Sequence, residues 1–314
     1  MTASGETVIS VRGLRKNYGE LEAVRGIDLE VSRGEIFAFL GPNGAGKTTT
    51  VEILEGYRPR NGGEVSVLGV DPAAAGRDWR ARVGMVLQEC RVTRQLTPRE
   101  AVAQYAGYYP APRDVDETIE LVGLTDKADT RAARLSGGQQ RRLDVALALV
   151  GDPDLLFLDE PTTGFDPSAR RQAWEVIANL GRLGKTVFLT THYMDEAQAL
   201  ADRVAIIAAG RVLAEGPPSE IGGDGEAARI SFRLPSGADA SSLPAPVRAQ
   251  ASVEGTRVMI RQADPLPVLR ELIAWAAGHG GELSGLEVRR PTLEDHYLAL
   301  VAGARETGTD EGET

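Results

Sequence analysis

Cysteine is all but absent from this sequence. Cys90 is the only one among 314 residues, so no intramolecular disulfide can staple the chain. Long apolar runs are missing too. None approaches the roughly 20 residues needed to cross a bilayer; the runs at 145–150 and 155–158 are separated by Gly151, Asp152, Pro153 and Asp154. A membrane role must therefore be borrowed from a partner. Positive charge is in deficit, with 35 Lys and Arg against 45 Asp and Glu and a formal net charge of -10. Such a chain repels phosphate backbones, which argues against bulk nucleic-acid binding. No basic, apolar leader with a small-residue cleavage site opens the sequence. Together with the lone cysteine, this fits a reducing cytosol.

What is present is enough for a packed core: 42% of residues are hydrophobic and 25% charged, as in ordinary globular proteins. Ile27, Leu29 and Val31 alternate with Asp28, Glu30 and Ser32, the period of a half-buried strand. Three continuous apolar runs, 36–40, 155–158 and 187–189, read as buried strands. Each ends in polar residues: Gly41 to Thr48, Asp159 and Glu160, and Thr190 to His192. Because ligands of open α/β sheets bind beyond the carboxyl ends of strands, the three endings predict one composite site.

Between Gln88 and Asp152 the pattern becomes helical, and Thr97, Pro98 and Glu100 form a capping box with proline at the first helical position. This stretch, about 89–152, reads as a helical subdomain inserted in a domain spanning 7–220. Gly222, Gly223, Asp224 and Gly225 read as a linker. Beyond it, strands at 230–234, 257–261 and 286–289, a helix at 265–277 and a capped helix from Thr292 predict a small α+β domain over 228–302. Residues 303–314 read as a disordered acidic tail.

Gly41-Pro42-Asn43-Gly44-Ala45-Gly46-Lys47-Thr48 fits the phosphate-binding loop, placed between a buried strand and a helix as that loop requires. The glycines let backbone N–H groups turn toward phosphates, and the helix N-terminus adds partial positive charge. With 36 glycines and four lysines in the chain, about 0.005 chance matches are expected. In Leu155-Leu156-Phe157-Leu158-Asp159-Glu160, an apolar strand delivers two carboxylates to one edge. Asp159 suits Mg²⁺ held through water, and Glu160 suits a residue that polarises attacking water. Leu135-Ser136-Gly137-Gly138-Gln139 precedes a helical run over 140–150 and makes a second anion site. One nucleotide needs one phosphate loop, so the second site points to a dimer with ATP between the subunits.

These strings together resemble ABC-type ATP-binding subunits over roughly 8–218, the pentapeptide from Leu135 being that family's signature. The resemblance implies a phosphate-loop α/β nucleotide-binding domain with an inserted helical subdomain, and contacts to ATP from Gly41, Pro42, Asn43, Gly44, Ala45, Gly46, Lys47, Thr48 and Thr49. It implies that Tyr18 stacks on adenine and that Thr48, Gln88 and Asp159 hold Mg²⁺. Gln88 would also read the γ-phosphate, Glu160 would act on water, and His192 would be the γ-phosphate switch. Ser136, Gly137, Gly138 and Gln139 would close on the partner's nucleotide, with Asp166 linking the two sites. Phe165 stands where the family more often has leucine.

Pro291-Thr292-Leu293-Glu294-Asp295-His296-Tyr297-Leu298 resembles the C-terminal extension of ABC-2-type exporters, especially daunorubicin-resistance-like subunits, with His296 and Tyr297 replacing the commoner Val-Phe pair. The reading implied is a homodimer hydrolysing two Mg·ATP at the cytoplasmic face of the membrane, driving two permease subunits that export a substrate such as a drug or antibiotic. The competing reading is a soluble ABC-type ATPase acting on DNA or ribosomes. Such proteins usually carry tandem nucleotide domains, long coiled-coil insertions or zinc cysteines, and this chain has one motif set and one cysteine. A kinase or GTPase with a phosphate loop is disfavoured by the signature.

Overall fold

The computed structural model describes residues 5–86, 94–221, 228–235, 237–279, 283–289, 292–298 and 300. The chain divides into two compact units, the first running to Pro218 and the second from Ser219.

In the first unit, strands β1 (Thr7–Tyr18), β2 (Leu21–Ser32) and β4 (Gly62–Val67) form an antiparallel sheet in the order β2-β1-β4. The alternation read at 27–32 is realised in β2, where Ile27, Leu29 and Val31 are buried and Asp28 and Glu30 exposed. A second sheet has six strands. These are β3 (Ile36–Leu40), β5 (Val83–Val86), β6 (Leu155–Asp159), β7 (Thr186–Thr191), β8 (Arg203–Ala208) and β9 (Arg211–Gly216). Their order is β5-β6-β7-β3-β8-β9, parallel apart from the antiparallel edge strand β9. The three runs read as buried strands are thus β6, β7 and β3, which are immediate neighbours. Their register aligns Phe157 with Phe188 and Phe188 with Phe37. The rings on either side lie 5.6 Å from Phe188, and all three are almost wholly buried. Aromatic pairs at that spacing contribute beyond their buried area, which pins the register that brings the strand ends level.

Helix α1 (Lys47–Leu54) follows β3, and α2 (Arg77–Ala81) precedes β5. The inserted helices are α3 (Pro98–Ala106), α4 (Val115–Leu121) and α5 (Gly137–Leu149), then α6 (Pro167–Arg182) and α7 (Met194–Leu200) flank β7. The capping box is present at α3, with Thr97 Oγ1 accepting from Glu100 N and Glu100 Oε2 accepting from Thr97 N. The helix read from 140 begins three residues earlier. Ser136 and Gln139 make a second reciprocal capping box, which draws Gly137 and Gly138 into the first turn of α5. No helix among the described residues is long and apolar enough to cross a membrane.

Helix α8 (Pro218–Ile221) marks the division between the units. The second unit contains α9 (Ala245–Arg248), α10 (Pro265–Ala277) and an antiparallel sheet of β10 (Ala228–Arg233), β11 (Ala251–Glu254), β12 (Arg257–Gln262) and β13 (Glu287–Arg289), ordered β11-β12-β10-β13. Ile230, Phe232, Val258, Ile260, Leu272 and Trp275 are central to a core of its own. Thr292 caps the helical turn that follows, accepting from Asp295 N. The linker at 222–225 and the tail at 303–314 lie outside the described residues.

Candidate functional site

The loop after β3 is built by steric exclusion. A Cβ on Gly41 would sit 2.4 Å from the Ile207 carbonyl oxygen, and one on Gly46 would lie 2.6 Å from that of Ala23. Gly46 also has φ +105°, which side chains rarely adopt. Only glycine lets the backbone pass so close to β2 and β8 and still turn into α1. Lys47 folds back across this loop, its Nζ donating to the carbonyls of Gly41 at 2.7 Å and Pro42 at 3.2 Å. Burial lowers its pKa, while the charges of Glu160 and Asp159 act to raise it. The ammonium is thus held over the loop at the cost of most of its hydration, ready to exchange carbonyls for a better-charged partner.

Opposite stand the ends of β6 and β7. Thr190 Oγ1 donates to Asp159 Oδ1 at 2.5 Å and accepts from Glu160 N at 3.0 Å. Glu160 has φ +44°, a left-handed conformation uncommon for a residue with a side chain. Its Oε1 lies 3.3 Å from His192 Nδ1, and its Oε2 accepts from Thr163 Oγ1 at 3.1 Å. The His192 ring packs on Tyr193 at 4.1 Å, and Arg170 lies 4.3 Å from the Tyr193 ring centre.

Between these groups and the end of β1 lies a cleft of about 510 Å³, lined by Tyr18, Asn43, Gly44, Lys47, Thr49 and Glu160 among others. Tyr18 closes β1, half-exposed, with its hydroxyl 3.4 Å from Thr49 Oγ1 and the cations of Lys16 and Arg58 each 5.3 Å from its ring centre. Thr48 is exposed in the same cleft. Gln88 lies outside the described residues.

Ser136, Gly137, Gly138, Gln139 and Asp166 do not line this cleft. They stand together elsewhere: the Gly138 Cβ position is 3.1 Å from Ala169 Cβ, so the first turns of α5 and α6 touch. Ser136 caps α5. Asp166 caps α6, its Oδ1 accepting from Ser168 N and Ala169 N at 2.8 and 3.0 Å, and these bonds lower its pKa.

Several participants were not legible beforehand. Thr190 entered only as part of a polar strand ending, with no role of its own, and Arg141, Glu55 and Asp144 were not singled out. In the fold Glu55 and Asp144 are buried, and burial pushes Glu55 up to about 8, helped by Asp159 and Glu52, and Asp144 up to about 7 against the pull of Arg141.

The cleft can hold a polyphosphate against the glycine-rich loop and Lys47, which line it. Among the described residues no group of three or more His, Cys, Asp or Glu could cage a metal. Mg²⁺ keeps several waters and shares phosphate oxygens with few protein groups. Thr48 and Asp159 suit that.

Comparison with known proteins agrees with this chemistry. The family model for the ABC transporter matches residues 24–163, and that for the ABC transporter domain-containing protein-like C-terminal domain matches 228–292. The chain is 37% identical to the Nod factor export ATP-binding protein I of Sinorhizobium fredii, over 95% of this chain and 87% of that protein. It is 35% identical to the daunorubicin resistance ATP-binding protein DrrA3 of Streptomyces coeruleorubidus, over 96% of this chain and 98% of that one. It also resembles the dimeric, post-hydrolysis structure of the ATP-binding cassette MJ0796 bound to ADP and Pi, with TM-score 0.59 and 25% identity over 67% of this chain and 98% of that one.

Proposed function

The chain belongs to the ABC transporter family as an ATP-binding, ATP-hydrolysing subunit, and on that premise we propose how its residues divide the work. Tyr18 stacks on adenine, and the amides of 41–49 with Lys47 hold the phosphates. Thr48, Asp159 and Gln88 hold Mg²⁺, which when bound offsets the charge gathering on the phosphate oxygens. Glu160 orients and polarises the attacking water, and His192 senses the γ-phosphate. The hydrogen bond from Thr190 fixes one oxygen of Asp159, while His192 and Thr163 hold the neighbouring Glu160 carboxylate beside the cleft.

The signature residues Ser136 to Gln139 and Asp166 stand outside the cleft of their own chain, which supports a homodimer in which each copy closes on the other's nucleotide. The dimeric state of the MJ0796 cassette supports the same reading. The assembly works at the cytoplasmic face of the membrane, with two permease subunits carrying the substrate. We divide the chain into an ATP-binding domain at 7–220, a small α+β domain at 228–302 and a tail at 303–314. Among the relatives' names, Nod factor export supports the direction of transport and daunorubicin resistance supports a cargo of drug or antibiotic type.

One observation carries the hydrolytic assignment: Glu160 and His192, 32 residues apart in sequence, meet at 3.3 Å beside the cleft that Lys47 overhangs. A Glu160→Gln variant should bind ATP, dimerise on it, and turn over about 10² to 10⁴ times more slowly. Wild-type turnover in that variant refutes the assignment.

A further inference from the structure

Glu160 presents a conformational problem. Its φ of +44° is held only where surrounding structure over-determines it. One tether is its own amide, which donates to the Thr190 carbonyl at 3.1 Å and is reached by the Thr190 hydroxyl. That bond fixes the peptide plane the amide shares with the Asp159 carbonyl and leaves the Pro161 carbonyl beyond it free to swing. Both carbonyls are met from α5. Arg141 Nη2 donates to the Asp159 carbonyl at 2.6 Å and Arg141 Nε to the Pro161 carbonyl at 3.4 Å.

The guanidinium is buried, at 9% exposure, and burying a charge is unfavourable unless its donors are used. Its donors point in one plane, so a single rigid group spans the residue it brackets. Asp144, one turn along the same buried face of α5, is a carboxyl whose pKa burial raises and the Arg141 charge pulls back down. A surface-exposed arginine would hold nothing, whereas this one is enclosed with the backbone it contacts.

We propose that Arg141 is a positioning residue for Glu160, its guanidinium clipping the Asp159 and Pro161 carbonyls and so keeping the Glu160 backbone in the left-handed conformation that presents its carboxylate to the cleft. The proposal rests on Glu160 being the residue that orients the attacking water. Arg141 touches neither the phosphate loop nor Tyr18 through any of these bonds, so its loss should slow turnover and spare ATP affinity.

The test is steady-state hydrolysis of Mg·ATP by the full chain carrying Arg141→Gln, Arg141→Lys, Glu160→Gln and the Arg141→Gln/Glu160→Gln pair. Misplacing a catalytic group by about 1 Å costs on the order of 10²-fold, so Arg141→Gln should lower kcat by about 10- to 100-fold with KM within about twofold. Arg141→Lys, which keeps the charge but not the fork, should recover part of the loss. The double variant should be no slower than Glu160→Gln alone, because the clip acts only through that carboxylate.

Wild-type kcat in Arg141→Gln overturns the proposal, as does a KM that rises in step with the fall in kcat. So does a double variant slower than Glu160→Gln by the full factor of the single change. Should Arg141→Gln fail to fold by circular dichroism, Arg141→Lys carries the same test, with lowered kcat at unchanged KM supporting the clip and unchanged kcat refuting it. Glu160→Gln at wild-type turnover removes the premise itself. A slow Glu160→Gln beside a fully active Arg141→Gln removes only the clip.

Discussion

Glu55→Gln should stabilise the chain, and by more in alkali than in acid. Glu55 follows the last turn of α1, buried to 6% exposure, and burial with the charges of Asp159 and Glu52 raises its pKa from 4.5 to about 8. The folded state therefore keeps this proton over a window in which the unfolded chain has lost it. Stability falls with rising pH wherever the native state binds more protons, so this carboxyl penalises the fold progressively between its unfolded and folded pKa values and levels off above. At one pKa unit per 1.36 kcal/mol, a shift from 4.5 to about 8 costs the fold about 3.5 kcal/mol more at pH 8 than at pH 5. Glutamine fills nearly the same volume and does not ionise. Urea titrations followed by far-ultraviolet circular dichroism, on nucleotide-free protein in EDTA at pH 5, 6, 7 and 8, give the variant's stability relative to wild type. Other titrating groups, Asp144 included, cancel in that difference. The gap should widen by about 3 to 4 kcal/mol across the range. A gap that stays constant with pH refutes the reasoning.

Two further outcomes follow from the site. Gly41→Ala must accommodate a Cβ 2.4 Å from the Ile207 carbonyl, so it should lose more than about 2 kcal/mol of stability and bind ATP poorly, as thermal melts with and without Mg·ATP will report. Tyr18→Ala removes a stacking surface worth about 1 to 3 kcal/mol and should raise KM for ATP about tenfold at nearly constant kcat. Competition by inorganic tripolyphosphate, which has no base, should be unchanged; equal weakening of tripolyphosphate would place Tyr18 elsewhere in the binding event.

Three strands of the parallel sheet, β3, β6 and β7, were readable because each is a continuous apolar run, and the meeting of their ends followed from the rule about strand termini. Their neighbour order was not readable. Setting Phe188 between Phe37 and Phe157 is a non-local choice that no local period encodes. Strand β11 escaped notice for a different reason: it is an edge strand with Ala251 half-buried and Ser252, Val253 and Glu254 exposed, so no alternation marks it. Arg141 and Glu55 were opaque because a charge on a helix reads as solvated until other elements arrive to cover it. The nucleotide loop, by contrast, announced itself, since glycine at fixed spacing before Lys-Thr has few other uses.

Backbone geometry separates function from mere turning at this site. Besides Glu160, the described non-glycine residues with positive φ are Leu68, Asp152 and Ala209. Leu68 and Ala209 each precede a glycine that is also left-handed, Gly69 and Gly210, and each pair closes a two-residue loop between antiparallel partners. That is the primed hairpin turn, which requires positive φ at both positions. Asp152 follows Gly151 just past α5, and its carboxylate is held by Arg113 and Lys185. A reversal of the chain at a helix end explains it. Glu160 ends a parallel strand, closes no hairpin and follows no helix, so turn chemistry gives it no reason to be left-handed. What it has instead is a bond to β7 on its amide, a buried arginine across its flanking carbonyls, and a carboxylate beside His192. Local strain that contacts from β7 and α5 combine to hold is what a group needing one fixed direction requires, and that direction is the cleft.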